Sequence, residues 1–427
     1  MKLIDTLKLP ALLGGLTLAA GILASPAVHA RQSEQQLVPR VAGDLVVRAG
    51  KLYPITSPAI TDAVVVIREG KVTAFGKAGD VAIPDGLQVV EAEVVTPGLV
   101  DAHSCVGLAG WLNTDHDKDE LDGSAPVQPE LRALDAYNPA DPLVEWLRGF
   151  GVTTVHTGHA PGAVVSGQTM VVKTVGRSVE EATVSAAAMV ACTLGDSARS
   201  GQGAPGTRAK TAAMLRAALV QAQEYAAKRD AEPTAPRHLG HEALARCLSG
   251  ELGLLVTAQR SHDIATALRL KREFPGLRLV IDGGAEAPRL IPELKAAGVP
   301  VIVHPTMQRS SGETENLSME TPGVLVRAGL NVALQSGYEG YVPRTRVVLF
   351  EAAIAARYGM QFEPALSLVT YRAAQILGLE DRVGHVALGT DGDLALFNGD
   401  PFEYTTQCVG TVIEGTLVAD GERARER

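Results

Sequence analysis

At 427 residues, with 46% hydrophobic and 20% charged positions, the chain holds enough material for one large core and a smaller second unit. A formal net charge of -9 without a long basic run excludes a nucleic-acid surface, because phosphate binding needs clustered Lys and Arg. Small-molecule chemistry is the expectation that remains.

Residues 1–30 stand apart. Lys2 and Lys8 precede the apolar "LPALLGGLTLAAGILA", and "VHA" ends at Ala30, the pattern of a secretory signal peptide. The apolar run is short and broken by Pro10 and glycines, so stable membrane insertion is not expected. Cleavage near Ala30 places the mature chain in a periplasmic or secreted, oxidising setting. There Cys105, Cys192, Cys247 and Cys408 are able to pair but are too few to form a disulfide framework. Polar residues 31–43 read as a flexible lead-in.

From 44 to 95 short β-rich runs, "DLVVRAG", "AVVVIREGKVTAFG" and "LQVVEAE", alternate with Gly, Pro and Asp turns. Residues 96–383 change texture. The runs "GVTTVH", "TMVVKTVG", "LGLLVTA", "LRLVID", "GVPVIVH" and "LNVALQS" alternate with helical periods at 207–229, 261–273, 285–297 and 344–358. Repeated βα units of this length predict an α/β fold with a parallel (β/α)8 TIM-like barrel. Residues 384–421 return to β-texture and 422–427 form a tail, so both β-rich ends are expected to pair into one β-sandwich domain.

Three segments carry a family likeness: "VVTPGLVDAH" (94–103), "YRAAQILGLEDRVGHVALGTDGDLALFNGDP" (371–401) and "VIEGTLVADG" (412–421). With them the chain resembles the amidohydrolase superfamily, and "RSHDIATALRLKREFPGLRLVIDGGAEA" (260–287) is similar to its imidazolonepropionase-like branch. The resemblance implies one or two divalent metals, zinc foremost, at the C-terminal mouth of a barrel, where they polarise a carbonyl and activate water to hydrolyse a C–N bond. The family's ligands are an HxH pair on the first strand, often a lysine carboxylate or glutamate, histidines ending strands five and six, and an aspartate ending strand eight.

Position by position this sequence departs from that set. His103 is kept, while Cys105 replaces the second histidine, reading either as a thiolate ligand or as a small buried hydrophobe. Thr257 stands at the fifth-strand position, with Gln259 and His262 nearby, His262 suiting the start of a helix. Gly283 or Gly284 occupies the sixth, beside Asp282, and Ser336 and Gly337 occupy the eighth, with Glu339 two residues on. Lys173 answers to the carboxylated lysine or to an ordinary strand lysine paired with an acid.

Strand ends also deliver His156, His159 and His304, which suit substrate binding at the mouth or a rewired metal centre together with His103, Cys105 and Asp282. The loop "NTDHDKDELDG" (113–123) has calcium-loop spacing but Glu120 where the sharp turn needs glycine, so an acidic lip is the simpler reading. No GxSxG motif is present, so nucleophile-elbow chemistry has no support.

Two functions compete. One is an exported amidohydrolase-like protein that has lost its metal site and serves as a binding or assembly subunit, a homo-oligomer or a hetero-oligomer with an amidohydrolase paralogue. The other is an active metal-dependent hydrolase of non-peptide or dipeptide-like C–N bonds using a rewired site. A metal site fails once most of its donors go, which favours the first.

Overall fold

The computed structural model describes residues 42–420 apart from Asn113, Gln202, Arg309 and 339–346. The expected signal peptide, nearly all of the lead-in, Glu339 and the tail lie outside the described residues. Among the described residues no helix is long and apolar enough to cross a membrane, and all four cysteines are free thiols.

The N-terminal β-runs form β1 (Leu45–Leu52), β2 (Ile60–Arg68), β3 (Lys71–Lys77) and β4 (Gln88–Pro97). The body then supplies β5 (Leu99–Ser104), β6 (Val152–Thr157), β7 (Val165–Gln168), β8 (Met170–Lys173), β9 (Thr183–Ser185), β10 (Met189–Thr193), β11 (Gly253–Ala258), β12 (Arg278–Gly283), β13 (Val301–Val303) and β14 (Val332–Leu334). The C-terminal β-texture gives β15 (Leu394–Phe397), β16 (Cys408–Ile413) and β17 (Thr416–Asp420).

As expected, both ends of the described chain meet in one seven-stranded sheet, ordered β17-β16-β15-β4-β1-β2-β3. β4 lies parallel to β1 and antiparallel to β15, with Val95 opposite Leu396. Alternate residues supply both faces: Leu45, Val47, Val65 and Ile67 pack on one side, Val46, Val64 and Val66 on the other.

The body is a TIM-barrel-like α/β arrangement of two mixed sheets, β14-β13-β12-β11-β10-β7 and β5-β6-β8-β9, with an isolated bridge between Ser104 and Gly337. Most of its strands are buried on both faces, as in a sheet covered on both sides. Val100, Ala102, Leu255, Val280, Ile302 and Ala333 share one cluster, while Leu99, Leu254, Val256, Ile281 and Val303 pack in another with the helices.

One strand reverses the parallel expectation. In "TMVVKTVG", β8 runs antiparallel to β6, and the preceding β7 runs antiparallel to β10. The link from β6 to β7, residues 158–164, is far shorter than the dozen or so residues a parallel crossover requires. β10, in "AAAMVACTLG", escaped the reading because Ala is a poor strand former.

The helical periods fall close to expectation. Arg208–Ala231 is capped by the Thr207 hydroxyl, and Ser261–Glu273 has His262 exposed in its first turn. The 285–297 period splits into a 3-10 turn, Ala287–Leu290, and a helix, Ile291–Ala297, where Pro292 sits in the first turn. The last becomes Val348–Arg357.

Candidate functional site

Parallel register brings the polar side chains together. Thr193, Thr257 and Asp282 are successive register partners on β10, β11 and β12, so they share a face at the C-terminal strand ends. Thr257 Oγ1 donates to Asp282 Oδ2 at 2.6 Å, and Gln335 Nε2, just beyond β14, donates to Oδ1 at 2.6 Å. His103 Nδ1 lies 3.2 Å from the same Oδ1. Burial alone pushes the Asp282 carboxyl up, but His103 and these hydrogen bonds outweigh it, holding the group below the usual carboxylate range.

His156 is saturated as well. Its Nδ1 donates to the Ala102 carbonyl at 2.6 Å, and its Nε2 lies 2.6 Å from Thr169 Oγ1, which in turn accepts from the Met189 amide. Burial first, then the nearby His103, holds its pKa down to about 3, so it is neutral with no lone pair to spare. Its ring centre is 5.6 Å from that of His103.

Tyr338 stands among the remaining candidates. Its ring is 5.7 Å from His103 and 4.9 Å from His304, and its carbonyl accepts from the Cys105 thiol at 3.2 Å. Cys105 is buried with Ala109 and Ala160, the small-hydrophobe reading of that position. His304 is buried, its Nδ1 3.3 Å from the Pro305 carbonyl.

Two predicted site residues do not join this group. Lys173 is fully buried, but its ammonium is held by Asp391 at 3.1 Å and by Asp393 close by. Because β8 runs backwards, Lys173 lies opposite Thr154, toward the start of β6, and away from the C-terminal strand ends. Its strand-lysine reading is the one the geometry matches. His159 sits on the loop after β6, where burial holds it down to about 4 against the Leu131 carbonyl and Asp122.

Several participants were not picked out from the sequence. Gln335 precedes the substituted eighth-strand position, two residues beyond inward-facing Ala333, a spacing that would have found it. Asp101, two residues before His103, accepts from the Ser336 amide at 3.1 Å and the His103 amide at 3.3 Å, tying β5 to the end of β14. Burial pushes its carboxyl up to about 6.

The family's metal does not fit these residues. Among the described residues no three His, Cys, Asp or Glu side chains are grouped to hold an ion. Asp282 spends both oxygens on protein donors, and His156 both nitrogens. Gly283 adopts φ 94°, and any side chain there would run into the Gln259 amide, so the space of the missing histidine is filled. Four buried atoms in the same region have no partner: Asp101 Oδ2, His103 Nε2, Thr193 Oγ1 and Gln335 Oε1.

Comparison with known proteins agrees with this architecture. Residues 256–419 match the Amidohydrolase family. The crystal structure of an amidohydrolase from Thermotoga maritima MSB8 superposes with a TM-score of 0.82 at 30% identity, covering 88% of this chain and 100% of that one. An adenosine deaminase from Xanthomonas campestris with bound zinc shares the fold alone, at TM-score 0.55 and 16% identity over 89% of this chain and 94% of that one. Amidohydrolase tasK of Hapsidospora irregularis is 24% identical over 395 residues, 83% of this chain, which spans only 40% of that relative's length. Full-length coverage of the Thermotoga protein, with the family's C-terminal segments in place, means that the chain belongs to the amidohydrolase family.

Proposed function

We propose that this member of the family has exchanged metal-dependent C–N hydrolysis for a binding or assembly role. The two mixed sheets are taken to close into a (β/α)8 barrel with one reversed strand, packed against a composite β-sandwich, in the imidazolonepropionase-like branch. The supporting observation is the occupancy of Asp282: Thr257, Gln335 and His103 satisfy the carboxylate that would otherwise be the best remaining metal donor. A small molecule, or a copy of the chain or of an active paralogue, is its proposed partner, and export with cleavage near Ala30 is its proposed route.

A second reading keeps an active hydrolase with a rewired site. It is favoured by one feature, the buried and unpartnered His103 Nε2 near Tyr338 and His304.

The deciding experiment is elemental analysis of protein purified without chelators, followed by thermal melting and turnover of amides, cyclic amides and dipeptides with added zinc, manganese or iron. The proposal expects sub-stoichiometric metal, an unchanged melting temperature and no turnover. Stoichiometric metal with metal-dependent turnover overturns it in favour of the second reading.

A further inference from the structure

The polar layer at the strand ends is shut from solvent. Thr193, Thr257, Gln259, Asp282 and His304 are each less than a tenth exposed, yet His103 Nε2, Thr193 Oγ1 and Gln335 Oε1 are left without partners. Buried unpaired polar atoms are costly, and a closed layer that leaves them is suited to receiving a ligand or water when it opens.

One segment spans the loops that carry these strand ends. Residues 311–317, after β13, reach across the loops that follow β10, β11 and β12. Glu313 Oε2 accepts from the Asp196 amide at 2.8 Å, and Glu313 Oε1 pairs with Arg208 at 2.7 Å. Arg208 itself is anchored by Asp263 at 3.1 Å and Asp196 at 3.0 Å. Glu315 pairs with Arg260, and Asn316 donates to Glu286 at 2.6 Å, while Glu286 caps the Ser261 amide at 2.7 Å. No residue from 311 to 317 is buried. The segment is therefore held chiefly by polar ties at its rim, its one leucine, Leu317, being only half-buried.

We propose that residues 311–317 form an ion-paired strap over the C-terminal strand ends, latched by Glu313 and Glu315, which opens reversibly to admit ligand to the polar layer. The inference rests on the proposed function in taking this mouth as the place of entry, but its test reads access alone. Partly exposed pairs are weak singly and are screened by salt, so the latch opens with ionic strength; a strap held by buried apolar side chains would not.

The test places a thiol beneath the strap with T193C, a near-isosteric change at a hydroxyl that has no partner. Labelling of position 193 by a small methanethiosulfonate is followed by peptide mass spectrometry, with neighbouring Cys192, which packs in the helix-facing core, as internal control. Adding E313Q/E315Q is expected to speed labelling by about five- to tenfold. Raising salt from about 0.05 M to about 1 M is expected to do the same with the latch intact and little without it, Cys192 staying unlabelled throughout. Rates indifferent to both changes, or Cys192 labelling in step with position 193, overturn the strap. Should T193C fail to fold, amide exchange across 311–317 in the unaltered protein must quicken with salt, and an unchanged rate overturns it equally. Metal-dependent turnover would refute the proposed function and leave the labelling result standing.

Discussion

Asp282 shows how neighbours decide what a carboxylate does. At a strand end in this family an acid would face metal or substrate; here it accepts from Thr257 and Gln335 and pairs with His103. Its loss would leave a buried imidazole and hydroxyl without partners and the Gln335 amide with the Ile302 carbonyl alone, so D282A is expected to lower stability by about 3–5 kcal/mol in urea titration. T257V removes one donor and should cost about 1–2 kcal/mol. The pair is close enough that the double variant should fall short of the sum. At this scale Cys105, Thr257 and Gly283 could be singled out in the sequence because the family resemblance names positions to compare. What replaced them was not, since a side-chain network joining β5, β11, β12 and the end of β14 depends on register across strands far apart in sequence. Gln259 filling the space beside Gly283 carries no local signal either.

Among the elements, the reversed β7–β8 segment has the largest effect. It carries Lys173 to Asp391 and Asp393, beside which Lys71 and Arg382 also pair with Asp391. Burial would lower the Lys173 pKa, but the two carboxylates outweigh it and raise it, while Asp391 is held down to about 2. K173M leaves buried Asp393 without its cation, while Asp391 keeps Lys71 and Arg382, and is expected to destabilise by about 3–5 kcal/mol. Combining it with D391N and D393N should recover part of that loss, a non-additivity readable by calorimetry. Strand existence was legible from β-branched runs and helix positions from periodicity. Strand direction was not taken from them, although the short 158–164 link held the information. Direction is set by connection length, which residue patterning does not encode.

For the whole molecule, the buried histidines set an acid limit. His156 and His159 are lowered to about 3 and 4, so the unfolded chain takes up protons near pH 6.5 that the folded chain refuses, and their stabilisation is lost as pH falls. Asp101, raised to about 6, acts oppositely by holding a proton in the folded state. Between about pH 6 and 5 these three groups leave a balance of one proton in favour of the unfolded chain, a contribution of about 1.4 kcal/mol lost per pH unit. His241 and His385, also lowered, add in the same sense, while the burial-raised carboxyls of Glu120, Asp141, Asp263 and Asp393 act against it. H156Q should flatten the slope by about the same amount in urea titrations across that window. The α/β body and the joining of the two β-rich ends were both legible, because texture changes are global properties of a sequence. That joining also governs the order of assembly. β4 keeps one edge open until β15 arrives, with Val95 waiting for Leu396, and Lys173 stays without its acids until Asp391 and Asp393 are synthesised. Everything between Pro97 and Leu394 must therefore leave the ribosome before either can close, a long-range pairing that makes final folding slow. Chains stopped short of residue 391 would carry a bare strand edge and a buried unpaired lysine, and should be recovered as aggregates.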